Sequence, residues 1–215
     1  MRAEVIAEFQ QMYYDSGVWV DTYWMGARVG KCPLDLWQYQ EIIARVRPDV
    51  IIETGTAYGG SALFFASLCE LIGNGRVVTI DHLGAEHYKD GRPDHERVTY
   101  LLGASESAAT VAAVKSLIGV GEKVMVSLDS DHHKEHVLAE MRLYGALVTP
   151  GSYMIVEDTI VGHPILPEFG PGPMEAVEEF LRESSDFVRD RRRERFLMTF
   201  NAGGWLRKVR RCGLR

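Results

Sequence analysis

The residues of this sequence best able to do chemistry are acids that follow short apolar runs. Glu53 follows Val50-Ile51-Ile52, Asp81 follows Arg76 to Ile80, Asp129 and Asp131 follow Lys123 to Leu128, and Glu157 and Asp158 follow Tyr153 to Val156. Apolar, β-branched runs without polar alternation read as strands of a parallel sheet covered on both faces. In such a sheet the acids at neighbouring strand ends converge. Carboxylates brought together repel, and leaving them unpaired in a cleft is costly unless protons or a cation intervene. A hard divalent ion resolves this, and magnesium fits best because it takes one to three carboxylates and keeps its other positions for water or substrate oxygens. The plainer alternative is that Glu157 and Asp158 cap or salt-bridge a strand end while Asp131 caps the next helix. His132 and His133 are adjacent, which is not zinc- or iron-ligand spacing, and read as surface or substrate-facing residues.

A glycine turn accompanies the acids. Glu53-Thr54-Gly55-Thr56-Ala57-Tyr58-Gly59-Gly60-Ser61 reads as a strand end, a tight turn and a helix start, where glycine lets the backbone approach a ligand closely. The stretch lacks the lysine of a P-loop and the strict spacing of a dinucleotide fingerprint. Asp81, at the end of the second strand, is placed to accept from ribose hydroxyls. Ser105, after the third strand, is read chiefly as a helix cap, and its turn can also touch an adenine edge.

The elements that must position these groups alternate strand and helix through Val156, which argues for a three-layer α/β sandwich with a mostly parallel sheet. Ahead of it, residues 1–37 form a helical and aromatic extension: a helix over Met1 to Val18, then a segment containing Trp19, Tyr23, Trp24 and Trp37 that packs or covers a pocket. Asp35 is read as the cap of the following helix. The proline- and glycine-rich Gly162 to Pro173 loop is expected to border the pocket. Phe196 to Phe200 and Trp205 to Val209 flank Asn201 to Gly204 as a β-hairpin. The 215 residues suit one domain rather than two.

Composition limits the partners. A formal charge of −6 argues against nucleic acid, and the basic run Arg189 to Arg195 is interrupted by Asp190 and Glu194 and reads as a solvated face or a salt-bridged strand end. Cys32, Cys69 and Cys212 fit neither a disulfide framework nor a zinc site, and the N-terminus shows neither signal peptide nor membrane span, so a cytoplasmic setting is expected. The apolar N-terminal helix suggests a homo-oligomer.

Several segments taken together resemble one family. Trp24-Met25-Gly26, Lys31-Cys32-Pro33-Leu34-Asp35-Leu36, Glu53 to Ser61, Asp129-Ser130-Asp131-His132, Val156-Glu157-Asp158-Thr159, Gly170-Pro171-Gly172-Pro173 and Phe196 to Trp205 are similar to the cephalosporin hydroxylase family. Its members resemble class I S-adenosylmethionine-dependent O-methyltransferases with a Rossmann-like sheet closed by an antiparallel pair, including enzymes acting on sugar hydroxyls of natural products. A more distant similarity is to catechol-type methyltransferases, through the glycine turn, Gly103-Ala104-Ser105 and Asp131-His132-His133-Lys134.

The resemblance implies that Glu53, Gly55, Thr56, Tyr58, Gly59 and Ser61 surround the methionine part of the cofactor, with Asp81 on the ribose, Ser105 near the adenine and Asp129 beside them. It implies magnesium on Asp131, Glu157 and Asp158 and a general base at Lys134, with Asp129 as a second candidate ligand and His132 or His133 as an alternative base. The expectation is a magnesium-dependent O-methyltransferase acting on a hydroxyl of a small metabolite, a natural product or its sugar, with a vicinal diol or sugar as the acceptor. An oxygenase, or a cofactor-binding subunit without catalysis, are the alternatives.

Overall fold

The structure is a computed structural model that describes residues 2–88 and 91–209. Cys212 lies outside them. In chain order the elements are α1 (Arg2–Asp15), a short hairpin of β1 (Tyr23–Trp24) and β2 (Ala27–Arg28), α2 (Pro33–Val46), β3 (Val50–Thr54), α3 (Gly60–Leu71), β4 (Arg76–Asp81), β5 (Val98–Leu102), α4 (Ala108–Ser116), β6 (Val124–Leu128), α5 (Lys134–Gly145), β7 (Tyr153–Val156), α6 (Pro173–Glu183), β8 (Phe187–Arg189) and β9 (Trp205–Lys208). β3 to β9 form one seven-stranded sheet in the order β5-β4-β3-β6-β7-β9-β8. All neighbours are parallel except β9, which runs antiparallel to β7 and β8.

The alternation of side chains along each strand divides the core in two. Val50 and Ile52 face one side with Val124, Val126 and the inner faces of α4, α5 and α6. Ile51 faces the other, with Met125, Ile155 and the inner faces of α2 and α3. Every residue of β3 is buried, which is why its sequence shows no polar alternation. A third cluster joins Cys32, Ile160, Ile165, Met198 and Phe200 to Tyr13, Tyr14 and Trp19, fastening the N-terminal extension to the C-terminal part of the chain.

Three local expectations are corrected. Asp35 lies inside the first turn of α2, and Cys32 stands at the cap position. Its buried carboxylate instead accepts from Thr199 Oγ1 and the Phe200 N–H, so it ties two distant segments. Ser107, not Ser105, caps α4 by accepting from the Thr110 N–H at 3.1 Å. The antiparallel pair that closes the sheet is present, but β9 takes β8 as its partner and residues 196–200 form no strand. Asp35 already holds the N–H of Phe200, which removes that donor from any ladder. The basic run is salt-bridged as expected: Arg192 and Arg193 pair with Asp190, and Arg193 and Arg195 with Glu41. Among the described residues no helix is long and apolar enough to cross a membrane.

Candidate active site

The strand order reverses between β3 and β6, and the crevice above that point is where open α/β sheets bind ligands. Gly55 leaves β3 there with φ +84°, and a Cβ on it would stand 1.8 Å from the Asp129 carbonyl oxygen. Only glycine allows the turn after β3 and the chain leaving β6 to approach so closely. Ala57 takes φ +43° in the same turn, and Asp158 takes φ +52° after β7, conformations that ordinary residues hold only when their surroundings enforce them.

A cavity of about 560 Å³ opens over these strand ends, with Gly55, Ala57, Asp81, Tyr88, Ser105 and Asp129 in its lining. Asp81 is held rigidly: it accepts from the N–H groups of Ala57 and Leu83, each at 2.9 Å, and from Arg92 Nη2 at 2.8 Å. Ser105 also lines the cavity, 3.3 Å from His136 Nε2.

The other residues expected around a cofactor sit in a different layer. Glu53 is fully buried and accepts from Thr79 Oγ1 at 2.6 Å, and Thr79 in turn pairs with Thr56. Burial pushes Glu53 up to about 7 against the pull of Lys31, Ser61 and Thr79, and its Oε1 has no hydrogen-bond partner. Ser61 is buried beside it. Tyr58 is exposed at the rim, its ring edge against Tyr88 at 5.0 Å, and Gly59 packs on Pro93 and Tyr100. Gly55, Asp81, Ser105 and Asp129 are thus brought to the cavity wall, Glu53, Thr56 and Ser61 lie beneath it, and Tyr58 and Gly59 lie outside.

The acids divide as well. Asp129, His132 and Asp158 converge, with donor atoms within 4.8 Å of one another. His132 Nε2 lies 3.1 Å from Asp158 Oδ2 and 3.5 Å from Asp129 Oδ1, yet it is enclosed without a well-aligned acceptor. Burial pulls its imidazole down, but the two carboxylates outweigh that and hold it well above the ordinary histidine value. Two carboxylates flanking an imperfectly satisfied nitrogen fit a divalent cation by the chemistry of the donor set.

Asp131 is not in this group. Its Oδ1 accepts from the His133 N–H at 2.8 Å and lies 2.6 Å from His133 Nδ1, on the exposed side of the turn. Glu157 is buried, but its oxygens are taken by Lys31 Nζ, Tyr39 Oη and Ser127 Oγ, each at 2.7 Å. Lys134 is drawn to Glu179 of α6 at 2.7 Å. The structure thus brings Asp129, His132 and Asp158 together, while of the ligands expected from the sequence Asp131 stands apart from Asp158 and Glu157 is engaged by other side chains, and Lys134, expected as the base, pairs with Glu179. His133 stacks on Phe169 at 4.5 Å, so the single histidine among the acids does not make the two-histidine, one-carboxylate face of an iron oxygenase.

Lys31 had no role in the sequence reading. Its side chain is 5 % exposed, and its Nζ contacts both Asp129 Oδ2 and Glu157 Oε2. Burial works against its charge, but Asp129, Glu157 and Glu53 raise it above an ordinary lysine. Tyr39 likewise had no role there, and Asn201, which accepts the Asp158 N–H at 2.9 Å, was read only as a turn residue. A lysine close before the helix that leads into β3 was the one available signal.

Comparison with known proteins agrees with this geometry. A family model described as rhamnosyl O-methyltransferase/CmcI matches residues 16–209. Rhamnosyl O-methyltransferase of Mycobacterium tuberculosis (H37Rv) is 39% identical over 207 residues, covering 94% of this chain and 81% of that protein. Its Mycobacterium leprae counterpart is 40% identical over 209 residues, covering 94% and 90%. Among solved structures, an apo form of CmcI matches with a TM-score of 0.68 at 22% identity over 89% of this chain and 77% of that one, and an Mg-SAM form of CmcI with 0.66 at 21% over 89% and 78%. These two support the class I methyltransferase fold. With a family model matching almost the whole chain and relatives 39–40% identical over 94% of it, the chain belongs to the rhamnosyl O-methyltransferase/CmcI family.

Proposed function

We propose that this S-adenosylmethionine-dependent O-methyltransferase transfers the methyl group to a sugar hydroxyl of a glycosylated metabolite, assisted by a divalent cation. The observation that carries the reading is the position of Asp129. It lines both the 560 Å³ cavity and a second recess of about 30 Å³ shared with Lys31, Asp35, Glu157, Asp158 and Phe200. In this reading the larger cavity takes the donor and the recess takes the ion that faces the acceptor, so that both meet at one carboxylate. The naming of the mycobacterial relatives for a rhamnosyl acceptor supports the sugar, and the Mg-SAM form of CmcI supports the cation.

In this reading residues 1–215 form one catalytic unit, with residues 1–37 as its extension. The turn at Gly55 and Asp81 seat the donor, and Ser105 stands at its adenine end. Asp129 and Asp158 hold magnesium, which when bound orients the acceptor hydroxyl and lowers its pKa. Methyl transfer from a sulfonium is an in-line displacement, so the chief task of the chain is to align oxygen and methyl carbon. His132, flanked by the same two carboxylates, stands as the base in place of Lys134: an ion on Asp129 and Asp158 would offset the charges that otherwise keep its imidazole protonated. Buried, unpaired Cys32 and Cys69 suit a reducing compartment.

The test is calorimetric titration with S-adenosylhomocysteine, with and without magnesium, followed by methyl transfer to an aryl rhamnoside and its deoxy analogues. Micromolar binding, magnesium-stimulated transfer and loss of turnover when the hydroxyl vicinal to the methylated one is removed are expected. Equal turnover with and without a chelator would remove the cation, and transfer only to non-sugar acceptors would remove the sugar.

A further inference from the structure

The acid cluster already contains a cation. Lys31 Nζ bridges Asp129 and Glu157 from inside the protein, and its backbone is fixed because its N–H donates to Thr22 Oγ1 and its carbonyl accepts from the same hydroxyl, both at 3.1 Å. Glu157 is further saturated by Tyr39 and Ser127. Asp129 is divided: one oxygen meets the ammonium, and the other faces His132 and the opening toward Asp158.

We propose that Lys31 is a tethered counter-cation that competes with the divalent ion for Asp129, holding the acid cluster together in the metal-free protein and keeping the ion weakly bound and exchangeable. This rests on the cation reading above. A buried ammonium beside two carboxylates satisfies charges that would otherwise repel. An ion that uses Asp129 and Asp158 shares the first carboxylate with that ammonium, and two positive charges on one carboxylate repel strongly where water is excluded. Removing the ammonium therefore leaves Asp129 and Glu157 short of a cation, with only the His132 imidazole still beside Asp129. Lys31 is in this sense a positioning residue: it sets the orientation of Asp129 and the affinity of the site.

The test is Mn²⁺ binding, followed by electron paramagnetic resonance, to the wild-type chain, Lys31→Met and Lys31→Arg. Melting temperatures are recorded with and without the ion. Lys31→Met keeps much of the aliphatic stem without the charge. It is expected to bind Mn²⁺ at least about 10-fold tighter than wild type, to melt lower without the ion and to recover when Mn²⁺ is added. Lys31→Arg is expected to stay near wild type. Simple structural damage would weaken binding, so tightening distinguishes the two roles. If Lys31→Met folds only with Mn²⁺ present, chelator titration of the loaded protein gives the same affinity. Mn²⁺ affinity in Lys31→Met equal to or weaker than wild type overturns the proposal while leaving the cation reading intact. Binding to Lys31→Met alone shows that Lys31 replaces the ion in the natural chain, so the competition stands and the cation reading falls. Binding to neither overturns both.

Discussion

Asp129 and Asp131 are two residues apart, yet one lies at the centre of the site and the other at its edge. The Asp129 N–H continues the β-ladder by donating to the Thr54 carbonyl at 3.1 Å, which keeps its side chain among the strand ends. Asp131 is held by its bonds to His133 at the exposed rim of the larger cavity, apart from Asp158. Asp158→Asn should therefore lower turnover by about 100-fold or more, whereas Asp131→Asn and Lys134→Met, which break only contacts at the surface, should stay within about 5-fold. Steady-state kinetics at saturating magnesium decide it, and an Asp131→Asn enzyme as impaired as Asp158→Asn would restore the set expected from the sequence. That acids gather at this end of the sheet was legible, because each follows an apolar run. Which of two neighbours turns inward was not, because the period that orients side chains within a strand ends with the strand. Lys31 was less legible still: it stands 98 residues from Asp129 and 126 from Glu157, and only the finished fold brings them together.

At the scale of elements, the turn after β3 is the part most fully specified locally. A methyl group at Gly55 meets the Asp129 carbonyl at 1.8 Å in a conformation that side chains resist, so Gly55→Ala should cost at least about 2 kcal/mol and weaken S-adenosylhomocysteine binding. A normal binding isotherm and an unchanged melting temperature for that variant would count against the turn as the donor seat. The first turn of α2 yields a pH prediction. Burial outweighs the hydrogen bonds from Thr199 and Phe200 and pushes Asp35 up to about 7. A carboxyl whose folded pKa lies above its unfolded value binds protons better in the folded state. The corresponding stability is complete below about pH 4 and is lost as pH rises through about 7. Glu53 acts in the same direction. In metal-free protein, Asp35→Asn should therefore flatten the fall in stability between those limits without abolishing it, as read by urea unfolding at several pH values; an unchanged slope would exclude Asp35 as its source. The strands were legible because, like Val50 to Ile52 of the wholly buried β3, they open on apolar, β-branched runs. The partner of β9 was not, because residues 196–200 have the composition of a strand while Asp35 claims the N–H of Phe200 for another contact.

Over the whole molecule, the two ends of the chain meet beside the site. Phe200 is 3 % exposed and packs against Tyr13, Tyr14 and, edge to face, Trp19, with ring centroids 5.5–6.0 Å apart. Its N–H donates to Asp35, its carbonyl accepts from the Ile160 N–H, and its ring helps line the recess that contains Asp129 and Asp158. The aromatic density of the N-terminal extension was visible in the sequence, but its contact with a segment nearly the whole chain away was not. Phe200 thus couples the extension to the recess of Asp129 and Asp158, proposed above as the ion and acceptor side, rather than to the larger cavity, whose lining contains none of these residues. Phe200→Ala should cost about 3–5 kcal/mol, expose the chain before α2 to limited proteolysis, and raise the acceptor KM while S-adenosylhomocysteine affinity stays near wild type. Equal losses of donor and acceptor binding would instead mean that the extension supports the whole sheet and has no particular connection to the acceptor.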